Sequence, residues 1–393
     1  MLDTFSADTI KHVSYARHTG EAFKSVITPQ DFTDASSEIM SWEGYTTTPL
    51  HPLKSLAQQL DLDNIFYKDE GPRFGLGSFK ALGGAYAAAR VLQRELYNKF
   101  DKIISLSDLR SGKYASLTKA ITLVSATDGN HGRSLAWGAK KFGADCKIYI
   151  HAEVSEERAK AMRYFGADVI RIDGDYDDSV RITKTNAEEN NWFIVSDTSW
   201  DNYIQPPTDV MAGYGVMTNE ITQELSPPPS HVFLQGGVGG LAASVCAALR
   251  QKWGKASPRV IIVEPDLASC LYASAMKDTL TSVQITEETI MAGLSCGEPS
   301  PLAWNILREE ASDFLSIPDM FIAPAMKLLA KPIGNDPAIE AGESAVAGLA
   351  AIIAVAQDAA LRNDLRIDKT SRILLIGSEG ATDRALYDKI ISS

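Results

Sequence analysis

Short β-branched runs alternate with amphipathic stretches of ten or more residues through most of this chain, and that rhythm constrains its fold more than any other feature. The apolar run Ile121–Val124 leads through a glycine-rich turn to a helical pattern over Arg133–Phe142. Cys146–Ile150 then precedes Ser155–Phe165, Val169–Ile172 precedes Asp178–Asn190, and Phe193–Val195 follows. The rhythm returns in His231–Leu234, Gly240–Lys252, Val260–Val263 and Arg372–Ile376. Continuous apolar strands joined by crossover helices are what a parallel sheet covered on both faces requires, so the expected class is α/β. Two proline-rich places interrupt the pattern, because proline lacks an amide donor and fixes φ. Gln205-Pro206-Pro207 is read as a domain crossing, and Ser226-Pro227-Pro228-Pro229 as the end of a helix before the His231–Leu234 strand. The expected organisation is a small domain over 122–204 inserted into a discontinuous large domain, 1–121 and 205–393.

Composition narrows the function classes. A chain of 393 residues, 45% hydrophobic, exceeds one domain of roughly 100–200 residues and is not disordered. Its 38 Lys and Arg against 50 Asp and Glu give a net charge of -12, which repels phosphate backbones and anionic lipid, so neither nucleic acid nor membrane is expected as a partner. The longest apolar run, Ala345–Ala356, falls short of the roughly 20 residues that span a bilayer and reads as a buried helix. Met1–Ser6 carries neither a basic start nor an apolar core, so a soluble, cytoplasmic protein is expected. Cys146, Cys246, Cys270 and Cys296 lie far apart without CxxC spacing; they read as reduced, mostly buried thiols, with no metal site.

Three glycine-bearing segments, each opening a helix, carry candidate chemistry. Gln235-Gly236-Gly237-Val238-Gly239-Gly240 lies between the His231–Leu234 strand and the helical Leu241–Lys252, where converging amides and a helix N-terminus suit a phosphate dianion. It lacks the Lys-Ser/Thr of an ATP loop, and no acid precedes Glu264 to bind a ribose, so a small phosphate monoester fits better than a nucleotide. A purely structural tight turn is the alternative. In Phe74-Gly75-Leu76-Gly77-Ser78-Phe79-Lys80, the amine of Lys80 lies beside Phe79 at the start of a helix. A partly desolvated amine there suits imine formation, whereas a solvated charge is the ordinary alternative. Ser125-Ala126-Thr127-Asp128-Gly129-Asn130-His131-Gly132 would present a carboxylate and an amide at the carboxyl end of a parallel strand, although Asp128 could equally be a helix cap and His131 a packing residue.

Taken in order, Lys80 in its Ser-Phe-Lys context, the Asp128-Gly129-Asn130-His131-Gly132 turn and the Gly236–Gly240 loop resemble the fold type II pyridoxal-phosphate enzymes, the tryptophan synthase β and threonine dehydratase group. More narrowly the chain is similar to the diaminopropionate ammonia-lyases. That likeness is carried by Lys68-Asp69-Glu70, Arg73-Phe74-Gly75-Leu76, Asp197-Thr198, Met291–Leu294, Cys296-Gly297-Glu298-Pro299, Gly334-Asn335-Asp336-Pro337 and Gly342-Glu343-Ser344. The resemblance implies two open, twisted, mostly parallel sheets flanked by helices, with pyridoxal 5'-phosphate in the larger domain, and a cytoplasmic homodimer acting in amino-acid catabolism. It assigns Lys80 the imine with the cofactor, Asn130 a hydrogen bond to the 3′ oxygen, Gly236, Gly237, Val238, Gly239 and Gly240 the phosphate, and Ser378 the pyridine nitrogen. Asp128 and Asp197 would be the two carboxylates serving opposite faces of the substrate, though Asp197 could also cap a turn. The implied reaction is α,β-elimination of ammonia from 2,3-diaminopropionate to aminoacrylate and then pyruvate. Alternatives are a β-eliminating relative acting on an N-substituted diaminopropionate or a β-hydroxy amino acid, and a non-catalytic pyridoxal-phosphate-binding protein. Asp209 stands where the family leads one to expect an apolar residue, and would alter substrate choice if it lined the pocket.

Overall fold

The apolar runs pair as the rhythm predicts. The computed structural model describes residues 2–15, 23–101, 103–127, 129–174 and 176–393. They fall into two compact units, one of Met1–Pro29, Thr46–Ser78 and Met217–Ser393, the other of Gln30–Tyr45 and Phe79–Val216.

In the first unit, seven strands of the described residues form one sheet in the spatial order Lys11–Ser14, Asp313–Ile317, Arg259–Pro265, His231–Gln235, Arg372–Gly377, Asn64–Asp69 and Leu50–Pro52. The five inner strands run parallel and the two edge strands antiparallel. The run expected to be a buried helix is one, Ala347–Ala356, and it is so close to the sheet that a Cβ on Gly348 would stand 3.2 Å from that of Phe233. In the second unit, Asp168–Arg171, Asp145–Ile150, Thr122–Ala126 and Phe193–Ile194 form a four-stranded parallel sheet. Val124, Tyr149, Ile172 and Ala187 make a small core beside it. Among the described residues no helix is long and apolar enough to cross a membrane. Cys146, Cys246 and Cys270 are buried, Cys296 partly so.

The span 122–204 lies within the second unit, which also takes in 30–45, 79–121 and 205–216. The reason is the helix Lys80–Phe100, which meets the helix Asn130–Phe142 at small residues. A Cβ on Gly84 would lie 2.7 Å from Ser134 Oγ, and that hydroxyl accepts the Ala85 amide at 3.0 Å. The prolines at 206 and 207 also behave differently from the sequence expectation. They open the helix Gln205–Glu224, because amides of a first helical turn have no intrahelical acceptor to lose. The chain passes between units within this helix, at Val216/Met217.

Behind the strand Asn64–Asp69 of the first unit lies a buried charge network. Lys68 Nζ stands 2.6 Å from Glu220 Oε2 and donates to the Thr48 carbonyl at 2.7 Å. Arg73 donates to Glu70 at 2.7 and 2.8 Å and to both oxygens of Glu220 at 2.8 Å. No member exposes more than 2% of its surface. Burial alone would lower the Arg73 guanidinium, but Glu70 and Glu220 hold it above its ordinary value, while burial of Glu220 is outweighed by Arg73 and Lys68. Two cations matched by two anions is a tolerable arrangement only when complete. Glu220→Ala is therefore expected to lower unfolding free energy by about 3–5 kcal/mol in urea titrations, the usual cost of stranding a buried charge.

Candidate active site

Lys80 begins the helix Lys80–Phe100, its Nζ 5.5 Å from the centroid of the Phe79 ring. Its side chain is 21% exposed and forms an ion pair with Asp197, itself 20% exposed. Desolvation would raise the Asp197 carboxyl, but Lys80, with His131 in support, holds it well below the usual carboxylate range. His131 Nε2 lies 2.8 Å from the Val195 carbonyl oxygen, so that nitrogen must carry the donated hydrogen, and Nδ1 faces Asp197 Oδ2 at 3.9 Å. Asn130 opens the same helical turn as His131, at the carboxyl end of the strand Thr122–Ala126. The second unit therefore brings Lys80, His131 and Asp197 together, and Asp128 lies outside the described residues.

The Tyr214 ring packs on Phe79, centroids 4.6 Å apart, and its buried hydroxyl faces Lys80 and Asp197. Asp209 is 6% exposed and pairs with Arg94 at 2.6 Å and Arg90 at 3.5 Å. Its carboxyl is nonetheless raised, because burial outweighs the pull of Arg94. Its charge is spent on those guanidiniums.

In the first unit the glycine loop joins the strand His231–Gln235 to the helix Gly240–Trp253. Gly237 and Gly239 have φ of +60° and +96°, conformations that L side chains rarely adopt, and these turn the backbone so that its amides are left over. Among the described residues the amides of Gly237, Val238 and Gly240 have no protein acceptor. A cradle of free N–H groups at a helix N-terminus fits a phosphate dianion. Ser378 is buried in the turn that follows the strand Arg372–Gly377. Glu379 beside it bridges to Ser78, and the Gly380 amide donates to the Gly77 carbonyl at 2.9 Å.

Glu264 lies under the loop: a Cβ on Gly236 would stand 2.4 Å from its Cγ. Its oxygens accept the Leu271 and Tyr272 amides at 3.0 and 2.7 Å. Burial pushes Glu264 up to about 8 despite those donors. A neutral acid beneath the loop leaves the cradle of amides free of like-charge repulsion toward an anion. In the sequence Glu264 figures only as the first acid after the loop, too late to bind a ribose; its place beneath the loop had no local signal.

The chain matches the pyridoxal-phosphate dependent enzyme family over residues 42–378. It is 40% identical over 354 residues to the diaminopropionate ammonia-lyase of Escherichia coli (strain K12), covering 88% of each chain. The Salmonella typhimurium enzyme of the same name is 38% identical over 359 residues, again covering 88% of each. A crystal structure of diaminopropionate ammonia lyase from Escherichia coli in complex with D-serine superposes with a TM-score of 0.88 and 37% identity, covering 97% of this chain and 96% of that one. This chain belongs to the fold type II pyridoxal-phosphate-dependent enzymes, within the group of the diaminopropionate ammonia-lyases. Its cofactor is pyridoxal 5'-phosphate, and the free amides of the loop and the part-desolvated amine of Lys80 fit that group.

Two outcomes check this chemistry. Gly237→Asp should weaken cofactor binding more than about tenfold in a fluorescence titration, whereas Gly237→Asn, of similar size and tolerant of the same φ, should cost only a few-fold. For Glu264, the folded value of about 8 against an unfolded value of about 4.3 means that its stabilisation is complete below pH ~4.3 and lost as pH rises through 8. Glu264→Gln should therefore flatten the fall in unfolding free energy between pH 5 and 8, a slope of up to ~1.4 kcal/mol per pH unit for one proton.

Proposed function

We propose that this chain eliminates ammonia across Cα and Cβ of 2,3-diaminopropionate, and that the aminoacrylate released hydrolyses to pyruvate and a second ammonia. The observation that carries the reading is an ionised carboxylate, Asp197, paired with the amine of Lys80 in a chain 40% identical to a diaminopropionate ammonia-lyase. When bound, pyridoxal phosphate withdraws electrons from Cα and so weakens its C–H bond. Lys80 would hold it covalently, Gly236 to Gly240 its phosphate, Asn130 its 3′ oxygen and Ser378 its ring nitrogen. The Ser378 hydroxyl, unlike a carboxylate, does not demand a protonated ring nitrogen, which suits early loss of the β-group.

Asp197 and Asp128 would accept the α-proton on opposite faces, and either carboxylate can pair with a β-ammonium. Without the Lys80 ammonium beside it, Asp197 would rise with desolvation toward the basicity that proton abstraction needs. A cytoplasmic homodimer completes the proposal, on the strength of the family resemblance; sedimentation would read the subunit count.

Product stoichiometry tests the leaving group: two ammonias per pyruvate mark a β-amino substrate, and one marks a β-hydroxy amino acid. Lys80→Ala should abolish both turnover and the borohydride-trapped lysine adduct; an undiminished adduct would place the attachment on another lysine. Asp128→Asn should remove activity chiefly toward the D isomer and Asp197→Asn toward the L isomer, each by at least about a hundredfold, with retained cofactor absorbance as the folding control.

A further inference from the structure

Asp197 lies in an irregular segment between the strand Phe193–Ile194 and the helix Gln205–Glu224, so its carboxylate is only as well aimed as that segment is fixed. Three ties hold its leading edge. The Val195 amide donates to the Val124 carbonyl at 2.9 Å, extending the sheet by one residue. His131 Nε2 meets the Val195 carbonyl at 2.8 Å. The third comes from the far end of the segment: the Tyr203 hydroxyl accepts the Ser196 amide at 2.9 Å and donates to the Ile194 carbonyl at 2.9 Å. One phenol thus uses a lone pair and its proton on the backbone directly before Asp197.

The phenol is itself held. Tyr203 stacks on Trp200 with centroids 3.9 Å apart and planes 9° from parallel. The two residues are also joined through their backbones, Tyr203 N to Trp200 O at 3.0 Å and Trp200 N to Tyr203 O at 3.4 Å. Lys184 covers the Trp200 ring at 4.1 Å. The segment 194–203 is therefore a closed clasp, tied across its neck by the hydroxyl and braced by stacked rings, with Asp197 on the enclosed stretch.

We infer that Tyr203 is a positioning residue, whose hydroxyl fixes the Asp197 carboxylate against Lys80 and so sets turnover of the isomer that uses Asp197. The inference rests on the proposed role of Asp197 as the acceptor for the L isomer. Burial keeps the phenol protonated far above neutral pH, so the donation to Ile194 persists at any working pH. A misplaced general base lowers the rate of proton transfer more than it lowers substrate binding.

The test uses the holoenzyme and three variants. Tyr203→Phe keeps the ring stack and removes only the hydroxyl. It should lower kcat for L-diaminopropionate at least about tenfold with KM changed less than about twofold, and leave the D isomer within about twofold. Amide hydrogen exchange of peptides covering 194–200 should quicken at least about tenfold while the strands Thr122–Ala126 and Asp145–Ile150 stay protected. Trp200→Ala, which loosens the brace, should reproduce the same isomer-selective loss more weakly. In the Asp197→Asn background, Tyr203→Phe should cost nothing further, since both act through one carboxylate.

Faster exchange with unchanged L-isomer kcat would overturn the inference and leave Tyr203 a structural residue, and so would equal losses for both isomers. An additional loss in the Asp197→Asn background would show that Tyr203 acts elsewhere. A harmless Asp197→Asn would instead remove the underlying reading of Asp197, and the inference with it.

Discussion

Arg73 has its guanidinium enclosed between two carboxylates, with almost no water to fall back on, and the end of the strand Asn64–Asp69 and the turn after it are arranged around that requirement. Neutralising it takes Glu70, three residues before it in the chain, and Glu220, on a helix more than a hundred residues later. Lys68 restores the balance that the second carboxylate upsets. The network fixes the end of the strand Asn64–Asp69 and the turn that follows it. That turn then pairs through Gly77 and Ser78 with the Glu379-Gly380 backbone next to Ser378, and its last residue stands two before Lys80. A buried ion network is an expensive way to gain stability. Here its specificity is geometric, since a guanidinium fork accepts only one arrangement of its partners.

The charges of the candidate site follow a different rule. Lys80 and Asp197 keep about a fifth of their side-chain surface exposed, and the pair can be broken and remade without stranding an ion in a dry interior. Glu264 has no cation among the groups that shift it, and loses its charge instead. The Lys80–Asp197 pair is left part-solvated, the Arg73 and Lys68 charges are locked in buried pairs, and the acid under the glycine loop is kept neutral.

Several inner strands are legible in the sequence because parallel strands are buried on both faces and so read as unbroken apolar runs, whereas their order in the sheet is set by long-range pairing that no local pattern carries. His231–Gln235 and Arg259–Pro265 are both found within a residue or two of their apolar patterns. The glycine loop was legible for a similar reason, since a turn between a strand and a helix advertises itself locally, whereas Lys80, locally an ordinary helix-start lysine, stood out only through the family resemblance. Long-range ion pairing does not. Nothing near Asp209 points to Arg94, and nothing near Lys68 points to Glu220. The Gln205-Pro206-Pro207 stop was misplaced because proline tells equally of a break and of a helix's first turn, and only the residues downstream decide. Tyr203 passed unnoticed because a phenol hydrogen-bonding to main chain leaves no mark in the pattern of side chains.

The pairing of Asp209 has a consequence for descent. Arg90 and Arg94 each retain more than a quarter of their surface in solvent, whereas Asp209 is nearly enclosed. Removing the aspartate leaves two cations that water can still hydrate; removing the arginines first leaves a buried carboxyl that must give up its charge. The three positions are therefore not free to drift in any sequence of events. Exchanging this aspartate for an apolar side chain can pass through intermediates that keep both arginines, while the opposite order must first bury a carboxyl with no guanidinium beside it, so the two orders of substitution are not equivalent.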